Sequence, residues 1–260
     1  MSQVHWLDGA DIGFPPTHSA LTDPDGLLAV GGDLTPERIV NAYSLGIFPW
    51  YSEGQPLLWW TPNPRLVLDP EHLHLGRSTR KLLRKQPFKI TVDQNFETVM
   101  RHCGTIPRKE QDGSWITEEM VDAYKNLHDL GVAHSVEVWQ HDELVGGLYG
   151  LALGRVYFGE SMFSLVSGAS RVAFATLATQ LQAWGFELID CQIHSDYLES
   201  FGAKEVSREH FESHLLNSVA KTPRVESLSK PWPVQAKQKQ ISIFDWREAW
   251  QMPEHGFDGS

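Results

Sequence analysis

Glu187-Leu188-Ile189-Asp190-Cys191-Gln192-Ile193 is a short apolar run that carries a carboxylate and an amide two residues apart. It reads as a β-strand. Successive strand side chains alternate faces, so Asp190 and Gln192 are expected to project from one side. A second strand-like run, thirty residues upstream, ends at Gly159-Glu160-Ser161-Met162-Phe163. If the two strands are neighbours, Glu160, Asp190 and Gln192 form one polar cluster on an otherwise apolar sheet. Such a cluster is costly to bury without a purpose.

Outward from this pair, strands are expected at 135–139, 144–152 and 155–160, the last two hinged at Gly154. A buried helix is expected over 168–185, because its apolar residues run nearly all round. A short helix at 194–200, the turn Phe201-Gly202-Ala203 and a last strand near Glu205 follow. Upstream, helices are expected at 77–85, 96–103 and from Thr117 to Gly131, with a strand at 88–92. Before residue 65 the chain is rich in breakers such as Pro15-Pro16, Pro24-Asp25-Gly26 and Pro62-Asn63-Pro64. Thr35-Pro36 there marks a helix start that should run to Gly46. The pattern predicts an α+β chain: a small N-terminal α/β domain over 1–65, a larger domain over 66–234 and a C-terminal extension over 235–260. Ile241-Ser242-Ile243-Phe244-Asp245-Trp246 is too apolar for a pure linker, so the extension is expected to dock on the surface.

Hydrophobic residues make up 41% and charged residues 21%, which is ordinary for a globular protein. No run reaches the roughly 18 apolar residues of a membrane span, no signal peptide is evident, and two cysteines build no disulfide framework. A cytoplasmic protein is the simplest expectation. The net charge of −11 argues against general attraction to nucleic acid. Locally, however, residues 77–109 carry nine positive side chains against Asp93 and Glu97. Arg77, Arg80, Lys81, Arg84 and Lys85 recur at helical spacing and can share one face. That face is either simply solvated or a contact surface for backbone phosphates.

The order strand–hairpin–strand–helix–strand–helix–strand resembles the GNAT acyltransferase fold, with its mixed, mostly antiparallel sheet flanked by helices. The coenzyme A pyrophosphate loop of that fold is expected before Val172. Here the chain has Leu165-Val166-Ser167-Gly168-Ala169-Ser170, with a single glycine, so an acyl-CoA donor is disfavoured. A more specific resemblance rests on an ordered set of runs: Gly26-Leu27-Leu28-Ala29-Val30-Gly31-Gly32-Asp33-Leu34, Gly46-Ile47-Phe48-Pro49-Trp50, Leu58-Trp59-Trp60-Thr61-Pro62, Trp115-Ile116-Thr117, Ala133-His134-Ser135-Val136-Glu137-Val138-Trp139, Glu143 through Gly150, Gly159-Glu160-Ser161-Met162-Phe163 and Ile189-Asp190-Cys191-Gln192. Together they resemble the leucyl/phenylalanyl-tRNA–protein transferase family over most of the chain. The resemblance implies transfer of Leu or Phe, and less readily Met, from aminoacyl-tRNA to proteins beginning with Lys or Arg. In bacteria that transfer marks the acceptor for degradation.

An aminoacyl-tRNA ester is already activated, so amide formation needs no metal or other cofactor. The nucleophile is an α-amine with a pKa of about 8, for which a mild base or acceptor suffices. Asp190, Gln192 and Glu160 are therefore the expected catalytic group, with Gln192 bonding the attacking amine or the ester carbonyl, Asp190 holding Gln192 and stabilising the ammonium, and Glu160 supplying negative charge for the substrate ammonium groups or a ribose hydroxyl. Replacing Asp190 by Ala is expected to cut turnover with little loss of folding. The resemblance assigns Trp50, Trp115 and Tyr124 to the aminoacyl-adenosine end, and Leu148, Tyr157 and Leu177 to the amino-acid side-chain pocket. Leu148 and Leu177 stand where the resemblance leads one to expect Met and Phe. Tyr157 and Glu160 lie on opposite faces of a regular strand, so both reach one site only if the strand is irregular, and Gly159 can supply a bulge. His210 and His214, four apart, lack a third ligand at suitable spacing, and no metal is expected. Cys191 points away from Asp190 and reads as packing. The remaining rivals are a GNAT-like enzyme with another activated donor and a non-catalytic tRNA- or peptide-binding module. A monomer is the default expectation.

Overall fold

Thr35 and Pro36 open the first long helix as their types dictate. Pro36 occupies the first helical position, and Gly46, with φ of 79°, lets the chain leave after the last turn. The Thr35 hydroxyl does not cap the helix; it donates to Asp33 Oδ1 at 2.6 Å, and the same oxygen accepts the Thr35 N–H at 3.0 Å. Thr117 does act as a cap, accepting from the Met120 N–H at 3.2 Å. The computed structural model describes residues 4–9, 11–105, 116–221, 229–231, 242–244 and 246–250.

A small N-terminal sheet contains β1 (His5–Leu7), β2 (Leu27–Gly31), β3 (Phe48–Pro49) and β4 (Leu58–Trp60) in the order β1-β2-β4-β3, with α1 (Pro36–Ser44) between β2 and β3. The chain then supplies β5 (Arg65–Leu68), α2 (Arg77–Lys85), β6 (Lys89–Val92), α3 (Phe96–Thr105), α4 (Glu118–Asp129), β7 (Ala133–Gln140), β8 (Glu143–Leu153) and β9 (Val156–Ser164). After these come α5 (Ala169–Ala183), β10 (Leu188–Gln192), α6 (Asp196–Glu199), β11 (Lys204–Val206) and α7 (Arg208–Ser218). A last pair of strands, β12 (Ser229–Pro231) and β13 (Ser242–Phe244), precedes α8 (Trp246–Ala249).

The large sheet has the order β11-β5-β10-β9-β8-β7-β6. Its strand pairs are antiparallel except β9–β10, so the expected α+β class with a mixed, mostly antiparallel sheet is observed. β9 and β10 are parallel because the crossover between them is α5, whose residues are buried almost all round. Two features were not expected from the sequence. β9 runs to Ser164 rather than ending at Glu160, and β5 inserts between β10 and β11.

Apolar clusters cover the two faces of this sheet. One joins α1 and the N-terminal sheet to α3, α4 and α7, with Tyr43, Trp59, Tyr124, Phe158 and Phe211 buried in it. The other gathers α2, α5 and α8, including Leu148, Tyr157, Leu177 and Trp246. Within the expected extension, Trp246 of α8 is packed into this cluster and only 1% exposed.

Candidate active site

β9 and β10 pair from Val156 to Phe158 against Leu188 to Asp190, and then part. A cavity of about 330 Å³ opens where they separate. Two irregularities shape it. Opposite β9, Tyr149 pairs with Ser161 and Gly150 with Gly159, so Glu160 is an extra residue in the ladder. That is the bulge anticipated near Gly159, and it lets Glu160 and Tyr157 line one cavity. Opposite β10, Asp190 pairs with Val67 and Gln192 with Leu66, leaving Cys191 unpaired, and Gln192 adopts a φ of 65°.

This second bulge breaks the strand alternation that was expected to place Asp190 and Gln192 on one regular face. Asp190 is fully buried. Its Oδ1 accepts from Arg65 Nε at 2.8 Å and its Oδ2 from Arg65 Nη2 at 2.6 Å. The guanidinium, buried as well, lies over the rings of Phe48 and Phe211 at 4.8 and 4.6 Å. Asp190 Oδ1 also accepts the Gln192 N–H at 2.9 Å. Its charge is thus engaged by Arg65 and by the backbone donor of Gln192, at the left-handed turn. Arg65 was not anticipated. The only signal in the sequence is a charge at the head of the apolar run Arg65-Leu66-Val67-Leu68, just after Pro64.

Glu160 has a different environment. Its Oε1 accepts from Tyr43 Oη and from Gln192 Nε2, each at 2.6 Å, and its Oε2 accepts from Tyr124 Oη at 3.2 Å. The Tyr43 and Tyr124 hydroxyls are themselves 2.6 Å apart. Burial pushes the Glu160 carboxyl up to about 7; the three donors oppose the shift and the nearby Asp190 charge adds to it. Burial raises both tyrosines well above their usual range, with the Glu160 charge adding to the effect, so they remain neutral donors. Because Glu160 takes the amide N–H of Gln192, the Gln192 carbonyl oxygen has no hydrogen-bond partner among the described residues. Tyr43, on α1, is a second contributor that the sequence reading missed.

Trp50, Leu148, Tyr157 and Leu177 line the cavity with Glu160, Asp190 and Gln192. Tyr124 does not. It is wholly buried, and its hydroxyl donates to Glu160 at 3.2 Å, so it stands behind that carboxylate rather than in the cavity wall. Trp115 lies outside the described residues. Cys191 also lines the cavity, yet burial raises its thiol far above the range of a nucleophile.

Arg77, Arg80, Lys81, Arg84 and Lys85 are all exposed on α2. Arg101 does not extend that patch, because it pairs with Glu97 at 2.9 Å and Glu118 at 2.7 Å. Arg108 and Lys109 lie outside the described residues. From α2 the strip continues to Arg171, whose Nη1 donates to Ser78 Oγ at 3.4 Å and whose charge acts on Tyr197 at the cavity wall. Gly168, the one glycine of the would-be pyrophosphate loop, has a φ of 89°. A Cβ there would lie 2.5 Å from Leu82, so this glycine admits an apolar side chain of α2 where a phosphate cradle would need open amides.

At the cavity rim His194 is ringed by Asp196 at 3.1 Å, Glu205 at 3.2 Å and Glu199 at 3.6 Å. The hydrogen bond to Asp196 leads the effects that raise the imidazole's pKa. His210 and His214 are exposed with ring centroids 5.2 Å apart. No helix among the described residues is long and apolar enough to cross a membrane.

Two family patterns match the chain: leucyl/phenylalanyl-tRNA protein transferase over residues 67–216, and its N-terminal domain over 32–63. A leucyl/phenylalanyl-tRNA–protein transferase of Teredinibacter turnerae is 60% identical, covering 96% of this chain and 97% of its own. That of Saccharophagus degradans is 53% identical, covering 98% and 99%. Among solved structures, a GCN5-related N-acetyltransferase from Kribbella flavida is 14% identical, covering 62% of this chain and 57% of its own with a TM-score of 0.34. Similar to these transferases along nearly its whole length, the chain belongs to the leucyl/phenylalanyl-tRNA–protein transferase family.

Proposed function

We propose that Glu160 and Gln192 hold and deprotonate an acceptor amine, while the cavity beside them holds the aminoacyl end of a tRNA. The chain is an aminoacyltransferase that moves Leu or Phe, and less readily Met, from aminoacyl-tRNA to the N-terminal Lys or Arg of acceptor proteins, and so marks them for degradation. The observation that carries the site assignment is the ring of three neutral donors around a carboxylate titrating at about 7. Such a group is matched to an amine of pKa about 8.

The amine nitrogen, steadied by the Gln192 carbonyl oxygen, attacks the ester carbonyl carbon. As the new C–N bond forms, its surplus proton passes to Glu160. The bond to the ribose oxygen then breaks, and that oxygen takes up the proton. Much of the rate comes from orientation, because the ester is already activated. Asp190 acts through Arg65 and the Gln192 backbone as a positioning residue.

Leu148, Tyr157 and Leu177 offer the apolar slot for the Leu or Phe side chain. Trp50 offers the terminal adenosine a flat surface, a role that the family resemblance extends to Trp115. Arg77, Arg80, Lys81, Arg84 and Lys85 continue through Arg171 as a cationic track for the acceptor stem. The carboxylates around His194 suit the basic side chain of the acceptor's first residue. The protein is read as a cytoplasmic monomer without a cofactor. Leu82 packed against Gly168 favours this reading over acyl-CoA chemistry.

The test incubates the protein with labelled Leu-tRNA or Phe-tRNA and a peptide beginning with Arg. Label should become acid-stable on the peptide, and ribonuclease treatment of the tRNA beforehand should abolish it. Transfer from acyl-CoA but from no aminoacyl-tRNA would overturn the reading.

A further inference from the structure

We propose that Trp246, in the C-terminal extension, is a positioning residue that sets, through Tyr157, how far the side-chain pocket discriminates Leu from Phe. This rests on the aminoacyl-transfer reading of the cavity.

Tyr157 lines the cavity, yet its buried hydroxyl has no hydrogen-bond partner among the described residues. Packing alone therefore fixes its ring. On one side stands Gly150, where an added Cβ would lie 2.7 Å from both Tyr157 Cζ and Oη. Trp246 packs on the ring as well, with centroids 5.8 Å apart and planes inclined by 35°. Trp246 is not part of the cavity wall; it lies one layer behind it.

The indole is itself held firmly. It stacks on His134 with centroids 4.0 Å apart and planes 7° from parallel, and it meets Trp184 edge-on at 5.1 Å. His134 is held by Asp93 at 2.8 Å, and the Arg247 guanidinium donates to the Asp93 carbonyl oxygen. Asp93 thus anchors both the stacking partner of Trp246 and the residue next to it. The extension, which offered no motif in the sequence, becomes the backing of the substrate slot. Beside Tyr157 the slot is walled by the aliphatic Leu148 and Leu177, so the position of the Tyr157 ring limits its depth on that side. Without Trp246 behind it, that ring can retreat. A longer aromatic side chain then fits better, and Leu loses contact.

The test measures kcat and KM for Leu-tRNA and Phe-tRNA, each with the same Arg-starting peptide, in the full-length protein and its variants. Trp246→Ala should raise the Phe-over-Leu ratio of kcat/KM about tenfold, the low end of the range for a methylene-sized change in an apolar pocket. The change should fall on KM for Leu-tRNA, with kcat nearly unmoved. Trp246→Phe, which keeps a flat ring, should return the ratio toward that of the native chain. Ile90→Ala, on the edge strand β6, should lower thermal stability and leave the ratio unchanged. If Trp246→Ala does not fold, Trp246→Leu carries the test, with the same upward shift expected. An unchanged ratio in whichever of these two variants folds, or an equal shift in Ile90→Ala, overturns the proposal. A native chain that transfers neither amino acid overturns the functional reading instead.

Discussion

Glu160 and Asp190 are two carboxylates at one cavity, and their surroundings differ in charge. Asp190 meets a guanidinium through two short hydrogen bonds, and its charge is neutralised on the spot. Glu160 meets only neutral donors, two phenols and an amide, and its carboxyl rises to about 7. A buried carboxylate with a cationic partner becomes a strut; one with dipoles alone stays poised to exchange a proton.

Removing the strut should have the largest effect. Arg65→Ala leaves the Asp190 charge buried and unpaired, a loss of about 3–5 kcal/mol in denaturant unfolding. Asp190→Ala should be similarly harmful, so the expectation that it spares folding does not survive the structure. The double variant Arg65→Met, Asp190→Leu should regain much of the stability while transfer stays about tenfold lower, as expected for a misplaced Gln192, because the Gln192 N–H then loses its acceptor. Recovery of both would show that the pair has no part in positioning Gln192.

Changing the poised carboxylate should do the reverse. Between about 4.5 and about 7 the folded chain keeps a proton on Glu160 that the unfolded chain releases. The contribution of this group to stability therefore falls as pH rises through that window. Glu160→Gln should raise Tm at pH 8 while lowering kcat about 100-fold, within the usual range for losing a general base. A Tm that falls at pH 8 would contradict the unfavourable burial of this charge.

A smaller effect is expected at Gln192, whose proposed role is to position the amine without carrying the proton. Gln192→Ala should reduce kcat about tenfold, with the lower pH midpoint of the rate retained. The smallest effects belong to the cationic track. Single changes such as Arg80→Ala or Arg84→Ala should raise KM for aminoacyl-tRNA and lower the slope of log affinity against log salt by up to about one unit each, with kcat unaltered.

Local chemistry made much of this legible in the sequence. Thr117 and Pro36 announced their helices, and the mismatch between Tyr157 and Glu160 on a regular strand called for the bulge found at Glu160. What could not be read were partners brought together by topology. Arg65 lies 125 positions from Asp190, and Tyr43 lies 117 from Glu160, with no spacing rule to link them. Strand alternation predicted a shared face for Asp190 and Gln192, but the unpaired Cys191 re-aims the chain between them. Trp246 could be read as apolar and dockable, whereas its seat behind Tyr157 depends on His134 and Trp184, each distant in sequence.

The pH dependence of single-turnover transfer from Phe-tRNA to an Arg-starting peptide, compared between the native chain and Glu160→Gln, tests the assignment of Glu160 most directly. The native rate should rise with a midpoint near 7 and rise further as the amine itself deprotonates at about 8. Glu160→Gln should lose the lower midpoint and keep only the upper one. A Glu160→Gln profile that retains the midpoint near 7 at an undiminished rate would contradict the role of Glu160 as proton acceptor.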